Sequence, residues 1–179
     1  MIIDLKSVVL APRRFAFSLE PDWWRGEQED DQIRGLEGPL KVEINISKAG
    51  SKYVLDGRLS GKLILRCDRC LEYYGSLLES DFRLFLAIRS SAAGQSEIEL
   101  LEDDMATDFI SGSEIDLEDI VRAQVYLSLP MQCLCSENCK GLCPVCGVNL
   151  NLEECGCQRK KGHPAFLKIK NLKLKGETQ

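Results

Sequence analysis

From Lys41 the run Lys-Val-Glu-Ile-Asn-Ile-Ser alternates strictly, which puts Val42, Ile44 and Ile46 on one face of a strand and polar residues on the other. Lys48-Ala-Gly-Ser-Lys reads as a turn, after which Tyr53, Leu55, Leu59, Leu63, Leu65 and Cys67 share one parity. Gly57 and Gly61 suggest a bend or bulge in that long ribbon. A third alternating stretch groups Phe82, Leu84, Leu86 and Ile88, and Arg14-Phe-Ala-Phe-Ser-Leu can supply a further strand. No strand-helix-strand rhythm occurs, so a parallel sheet is not expected. Asp116-Leu-Glu-Asp-Ile-Val-Arg-Ala-Gln-Val-Tyr-Leu-Ser-Leu-Pro reads as a helix capped by Asp116, with Glu118 and Asp119 at its positive end, a stripe of Leu117, Ile120, Val121 and Gln124, and a stop at Pro130. The pattern predicts an α+β body: a mostly antiparallel sheet, with curling toward a barrel as an open alternative, and one main helix packed on it.

Beyond Pro130 the composition changes. Seven of the nine cysteines fall between residues 133 and 157, and this segment has few large apolar residues with which to build a core. From Gln158 to Lys175 there are seven Lys or Arg and no acid. The expected organisation is a body over 1–130, a Cys-rich segment over 131–158 docked on it, and a basic tail over 159–179.

At 179 residues the chain is long enough for one domain with a small appendage, and 44% hydrophobic with 28% charged residues fits a globular protein. No apolar run approaches the ~20 residues of a membrane helix. The opening Met1-Ile-Ile-Asp-Leu-Lys carries an acid where a secretory leader carries positive charge, so the expected compartment is the cytoplasm or an equally reducing one. Taken as an average, the net charge of −5 argues against a nucleic-acid partner. Removing the seven positive charges of the tail leaves the rest at −12, so an acidic body carries a basic end. Residues 97–119 alone hold ten Asp or Glu and no Lys or Arg, a solvated face or a docking surface.

Nine cysteines in a reducing compartment point first to metal, because disulfides do not persist there. Cys143-Pro-Val-Cys146-Gly has the form of a zinc knuckle, and Cys155-Gly-Cys157 returns a second pair eight residues later. Cys143, Cys146, Cys155 and Cys157 then make one structural site, and Cys67, Cys70, Cys135 and Cys139 a second, for two zinc ions in all. An alternative partition takes Cys135, Cys139, Cys143 and Cys146 around one ion and Cys67, Cys70, Cys155 and Cys157 around the other. Cys133 is left over and reads as a small buried hydrophobe. A redox dithiol in Cys67-Asp-Arg-Cys70 competes, with Arg69 available to lower a thiol pKa, but the motif lacks the helix N-terminus of thioredoxin-like sites.

Catalysis finds little support. The one histidine, His163, sits beside Pro164 in the basic tail, no phosphate-binding loop occurs, and zinc with four protein thiolates leaves no position for a reactive water. The tail interleaves Lys168, Lys170, Lys173 and Lys175 with apolar residues and follows Arg159, Lys160 and Lys161. Its uses are RNA phosphate binding, contact with an acidic surface, or docking onto the acidic body. Trp23-Trp24 lies among acids that would repel phosphate, which favours packing or a protein contact over base stacking.

Arg66-Cys-Asp-Arg-Cys-Leu-Glu after a strand, Glu114-Ile-Asp-Leu-Glu-Asp-Ile leading to Leu129-Pro-Met, and Leu134-Cys-Ser-Glu-Asn-Cys-Lys-Gly-Leu-Cys-Pro-Val-Cys-Gly-Val-Asn-Leu-Asn with a closing Cys-Gly-Cys resemble the YceD-like family of large ribosomal RNA subunit accumulation proteins. The likeness runs over roughly residues 35–170 and rests on several motifs in order. The family's Cys-x-Arg-Cys falls on Cys67, Arg69 and Cys70, and its Cys-rich tail on Cys135, Cys139, Cys143, Cys146, Cys155 and Cys157. Cys133 and the Trp pair lie outside it. The resemblance implies a non-catalytic factor needed for 23S-type ribosomal RNA to accumulate. Its expected partner is large-subunit rRNA or a pre-ribosomal particle, with Arg159, Lys160, Lys161, Lys168, Lys170, Lys173 and Lys175 as RNA contacts. The rival is a module that holds a basic ribosomal protein on the acidic face.

Overall fold

The computed structural model describes residues 1–8, 11–25, 32–88 and 107–157. Strand β1 (Ile2–Asp4) leads into a 3-10 turn (Leu5–Val8) and β2 (Arg13–Leu19), and a second 3-10 turn (Pro21–Arg25) precedes β3 (Ile33–Leu36). Then come β4 (Leu40–Ala49), β5 (Lys52–Arg66), β6 (Tyr73–Ile88), β7 (Thr107–Ile110), β8 (Glu114–Asp116) and the helix α1 (Leu117–Leu127).

Six strands form one open sheet in the order β2-β4-β5-β6-β7, with β3 beside the far end of β5. Among the described residues the ends of that order do not pair with each other, so these strands do not close into a barrel. Strand alternation reports which face is buried and carries no information on whether the first and last strands meet. All its pairings are antiparallel except β6 with β7, where Phe85–Ile88 run parallel to Thr107–Ile110. β1 and β8 make a separate antiparallel pair that delivers the chain into α1.

Val42, Ile44, Ile46, Tyr53, Leu55, Leu59, Leu63 and Leu65 are all buried and lie on one face of the sheet. Leu117, Val121 and Val125 of α1 belong to the same core cluster, so the helix covers that face. Asp116 caps the helix by accepting from the Glu118 N–H at 2.9 Å, and the last helical residue comes three before Pro130. The opposite face is a lattice of cross-strand ion pairs, Arg14–Glu43, Arg58–Asp81 and Arg83–Asp56. These are exposed and contribute little to stability.

Neither Gly57 nor Gly61 marks a bulge. The β5–β6 pairing runs without a shift from Lys52↔Ala87 to Arg66↔Tyr73, and the irregularity lies between β3 and β5, at Ile33/Gly35. Gly57 instead faces Phe82, and a Cβ there would collide with the aromatic ring. The missing side chain is what leaves room for the far end of that ring against the strand.

Trp23 and Trp24 pack against α1. The Trp23 Nε1–H donates to Glu118 Oε2 at 2.8 Å, and the Arg122 guanidinium lies 4.8 and 5.1 Å from the two indole centroids. Trp24 is buried beside Tyr126. Among the described residues no helix is long and apolar enough to cross a membrane.

Candidate metal centres

The turn that joins β5 to β6 is Cys67-Asp-Arg-Cys70-Leu-Glu72. Its Cys67 N–H donates to the Glu72 carbonyl, continuing the strand register by one more pair, and the Leu71 N–H donates back to the Cys67 carbonyl, both at 2.9 Å. The same device recurs at Cys143-Pro-Val-Cys146-Gly-Val148. There Cys143 N–H donates to Val148 and Gly147 N–H to Cys143, both at 2.8 Å. A bridge between Leu142 and Asn149 and a bond from Leu150 N–H to the Gly141 carbonyl make this second turn the tip of a short hairpin. In both turns the residue after the second cysteine has positive φ, 62° at Leu71 and 76° at Gly147. Only the second has the glycine that this conformation favours.

The two turns present their sulfurs to different partners. Cys67, Cys70, Cys135 and Cys139 form one group and Cys143, Cys146, Cys155 and Cys157 another, the ligand atoms of each lying within 4.8 Å of one another. In the first group Cys67 Sγ is 3.8 Å from Cys139 Sγ and Cys70 Sγ 3.7 Å from Cys135 Sγ. The alternative grouping, with Cys155 and Cys157 beside Cys67 and Cys70, is not the one assembled.

Docking of the Cys-rich segment is done by the first turn. Asp68 Oδ2 accepts from the Cys133 N–H at 2.6 Å while the Asp68 N–H donates to the Cys133 carbonyl at 2.8 Å. Arg69 donates to the Cys139 carbonyl at 3.1 Å, and its own carbonyl accepts from Leu142 N–H at 3.0 Å. Arg69 therefore serves the backbone of the incoming segment. Cys133 is buried in the hydrophobic core and belongs to neither sulfur group.

The electrostatics of each group call for a cation. Burial alone would push the Cys67 thiol up, but hydrogen bonds from the backbone N–H groups of Cys70, Cys135 and Arg69 overcome it and bring it down to about 6. Backbone N–H groups of Cys146 and Val145 bring Cys143 down to about 6 as well. Cys70 is pushed up to about 12, chiefly by burial, and Cys157 up to about 12, chiefly by the Cys146 sulfur beside it. Four sulfurs this close cannot all ionise without a compensating positive charge, which a divalent ion held at their centre would supply. Asn151, from the turn after the second knuckle, donates through Nδ2 to Cys139 Sγ at 3.3 Å and holds that thiol down.

Asp68, Leu71, Asn149 and Asn151 escape a reading by cysteine spacing alone. Their signal is positional: each sits inside a Cys-x-x-Cys turn or within five residues after one. The basic residues Arg159, Lys160, Lys161, Lys168, Lys170, Lys173 and Lys175 lie outside the described residues.

A strand-built protein with, among the described residues, one α-helix and two tetracysteine groups each able to hold a metal ion is the class that fold and site define. The sequence profile described as large ribosomal RNA subunit accumulation protein YceD matches residues 55–173, and the chain belongs to that family. It is similar to the Arabidopsis thaliana protein named large ribosomal RNA subunit accumulation protein YCED homolog 1, chloroplastic, with 26% identity over 158 residues, 75% of this chain and 49% of that one. The Zea mays protein of the same name is 25% identical over 145 residues, 67% of this chain and 49% of that one. An uncharacterised protein of Mycobacterium tuberculosis is 26% identical over 130 residues, 73% of this chain and 60% of that one. The chain thus spans about half the length of the plant relatives. No solved structure matches it.

Proposed function

We propose that this chain is a non-catalytic factor in the accumulation of the large ribosomal subunit, acting by binding large-subunit rRNA or a pre-ribosomal particle. The observation that carries this reading is the family match over residues 55–173, which takes in the eight clustered cysteines and most of the basic tail.

Two structural zinc ions do the mechanical work. Four thiolates at ~2.3 Å around a tetrahedral ion stand ~3.8 Å apart, and the sulfur pairs at 3.8 and 3.7 Å have that spacing. Cys67, Cys70, Cys135 and Cys139 hold one ion, and Cys143, Cys146, Cys155 and Cys157 the other. Both sets are complete with protein ligands, so each ion fixes structure and activates no water. Thiolate ligands suit a reducing compartment such as the cytoplasm. Arg159 follows Cys157 by two residues, at most ~7 Å of chain, so the second ion anchors the base of the basic tail. The tail then offers Arg159, Lys160, Lys161, Lys168, Lys170, Lys173 and Lys175 to phosphates, and the acidic body limits indiscriminate sticking to RNA.

The rival is capture of a basic ribosomal protein by the acidic segment 97–119, in which two of the five described acids are already engaged within the chain. Asp116 caps α1 and Glu118 accepts from Trp23. The test is the salt dependence of RNA binding. With seven phosphates neutralised, log K should fall against log salt with a slope near −5 for single-stranded RNA, and deletion of residues 158–179 should flatten it. An unchanged slope after deletion would show that the tail is not the RNA contact. Pull-downs with and without nuclease separate RNA from a protein partner.

A further inference from the structure

Asn151 lies between the two cysteine pairs of the second group in sequence, yet its side chain serves the first group. Its Oδ1 accepts from the Lys140 N–H at 2.8 Å, and its Nδ2 donates to Cys139 Sγ at 3.3 Å. The orientation of the amide follows from its partners: the Lys140 N–H can only donate, so the oxygen must face it and the NH2 must face the sulfur. Cys139 is buried, and a thiolate there gains from every N–H aimed at it. Four thiolates around a divalent cation still leave a net charge of −2, so such donors help decide how tightly the ion is held.

What holds Asn151 in place belongs to the second group. Its own N–H and Nδ2 both donate to Asn149 Oδ1, at 3.0 and 2.9 Å. Asn149 in turn is bridged to Leu142 in the short hairpin whose tip is the Cys143–Cys146 turn. The Leu152 and Glu153 N–H groups both donate to the Asn149 carbonyl at 3.0 Å, turning the chain toward Cys155. The position of one amide is therefore set by the second knuckle and read by a sulfur of the first group.

We propose that Asn151 is a positioning residue that couples the two centres, so that the first centre binds its ion at full affinity only when the second is assembled. This rests on both groups being metal sites. It makes metal loading ordered: the local second centre, built within residues 143–157, forms first and completes the ligand environment of the long-range one.

The test uses the full chain titrated with Zn(II) against a chromophoric chelator, and with Co(II), whose thiolate charge-transfer bands report the sulfur environment directly. Asn151→Asp keeps an acceptor for the Lys140 N–H but places an anion against the Cys139 sulfur. It should weaken one of the two ions by 10- to 100-fold and shift one set of Co(II) bands. In a Cys135→Ser background, which disables the first centre, Asn151→Asp should leave the remaining ion untouched. Cys155→Ser should weaken the first-centre ion by a comparable factor, and Asn151→Gln, which keeps the amide on a longer stem, should recover part of the loss. Two ions held by Asn151→Asp at unchanged affinity would overturn the coupling and leave the metal reading intact. Equal weakening of both ions would mark general destabilisation and also overturn it. An unaltered chain that holds no ion would remove the metal reading and the coupling together.

Discussion

Leu71 occupies, in the first knuckle, the place that Gly147 occupies in the second, with φ of 62° against 76° and the same pair of backbone hydrogen bonds around it. A leucine in the left-handed region costs ~1–2 kcal/mol relative to its favoured conformations, and this one is half exposed, so it recovers little by burial. Leu71→Gly should therefore raise stability by about 1 kcal/mol, and Gly147→Ala should lower it by a similar amount. Thermal unfolding of the metal-loaded chain measures both. At this scale the sequence spoke clearly wherever one residue has one job. The inward parity of β4 and β5 and the separation of Cys133 from the two sets of four cysteines are both found in the fold. Leu71, Asp68 and Asn151 were silent because their work is done by backbone conformation and by hydrogen bonds across 12 to 65 residues, which no local pattern records.

The helix and the long hairpin show the same divide among elements. α1 announces itself by its cap and its stripe, and Asp116→Ala should cost ~1 kcal/mol, read as a lower unfolding midpoint. β6 announces only its second half. From Tyr73 to Ser80 the inward positions mix Tyr74 and buried Leu78 with Ser76 and Ser80, while Leu77 points outward and is 81% exposed, so hydropathy does not alternate cleanly there. Pairing to β5 overrides that local pattern. Gly57 was legible as unusual but not as the floor beneath Phe82, because the ring comes from the neighbouring strand. Gly57→Val should destabilise the hairpin by about 2 kcal/mol or more through overpacking, and Phe82→Ala in the same chain should relieve part of that loss in a double-mutant cycle.

Over the whole molecule, hydrophobic burial and sulfur clustering divide the labour. Between residues 131 and 157 the only buried hydrophobic side chains are Cys133, Cys139 and Cys143, so the segment has no aliphatic core of its own. Removing metal with a strong chelator should leave the strand signal in circular dichroism largely intact and make the chain cleavable between about residues 134 and 157 in limited proteolysis. Collapse of the whole sheet on chelation would show that the division is wrong. The contrast between an acidic body and a basic end was legible from composition, because charge needs no geometry to be counted. Closure of the sheet was not, since the absence of pairing between β2 and β7 leaves no mark on either strand.

The first centre joins cysteines 72 positions apart in the chain. On a ribosome adding ~5–20 residues per second, Cys67 and Cys70 emerge roughly 4–14 s before Cys139 can reach them. The β5–β6 hairpin is thus translated with its turn carrying two open thiols, and the last cysteine to arrive is the one that Asn151 receives. Synthesis is vectorial and the clasp is made late, so a truncated chain that stops short of residue 139 can pair its longest strands but cannot fasten them.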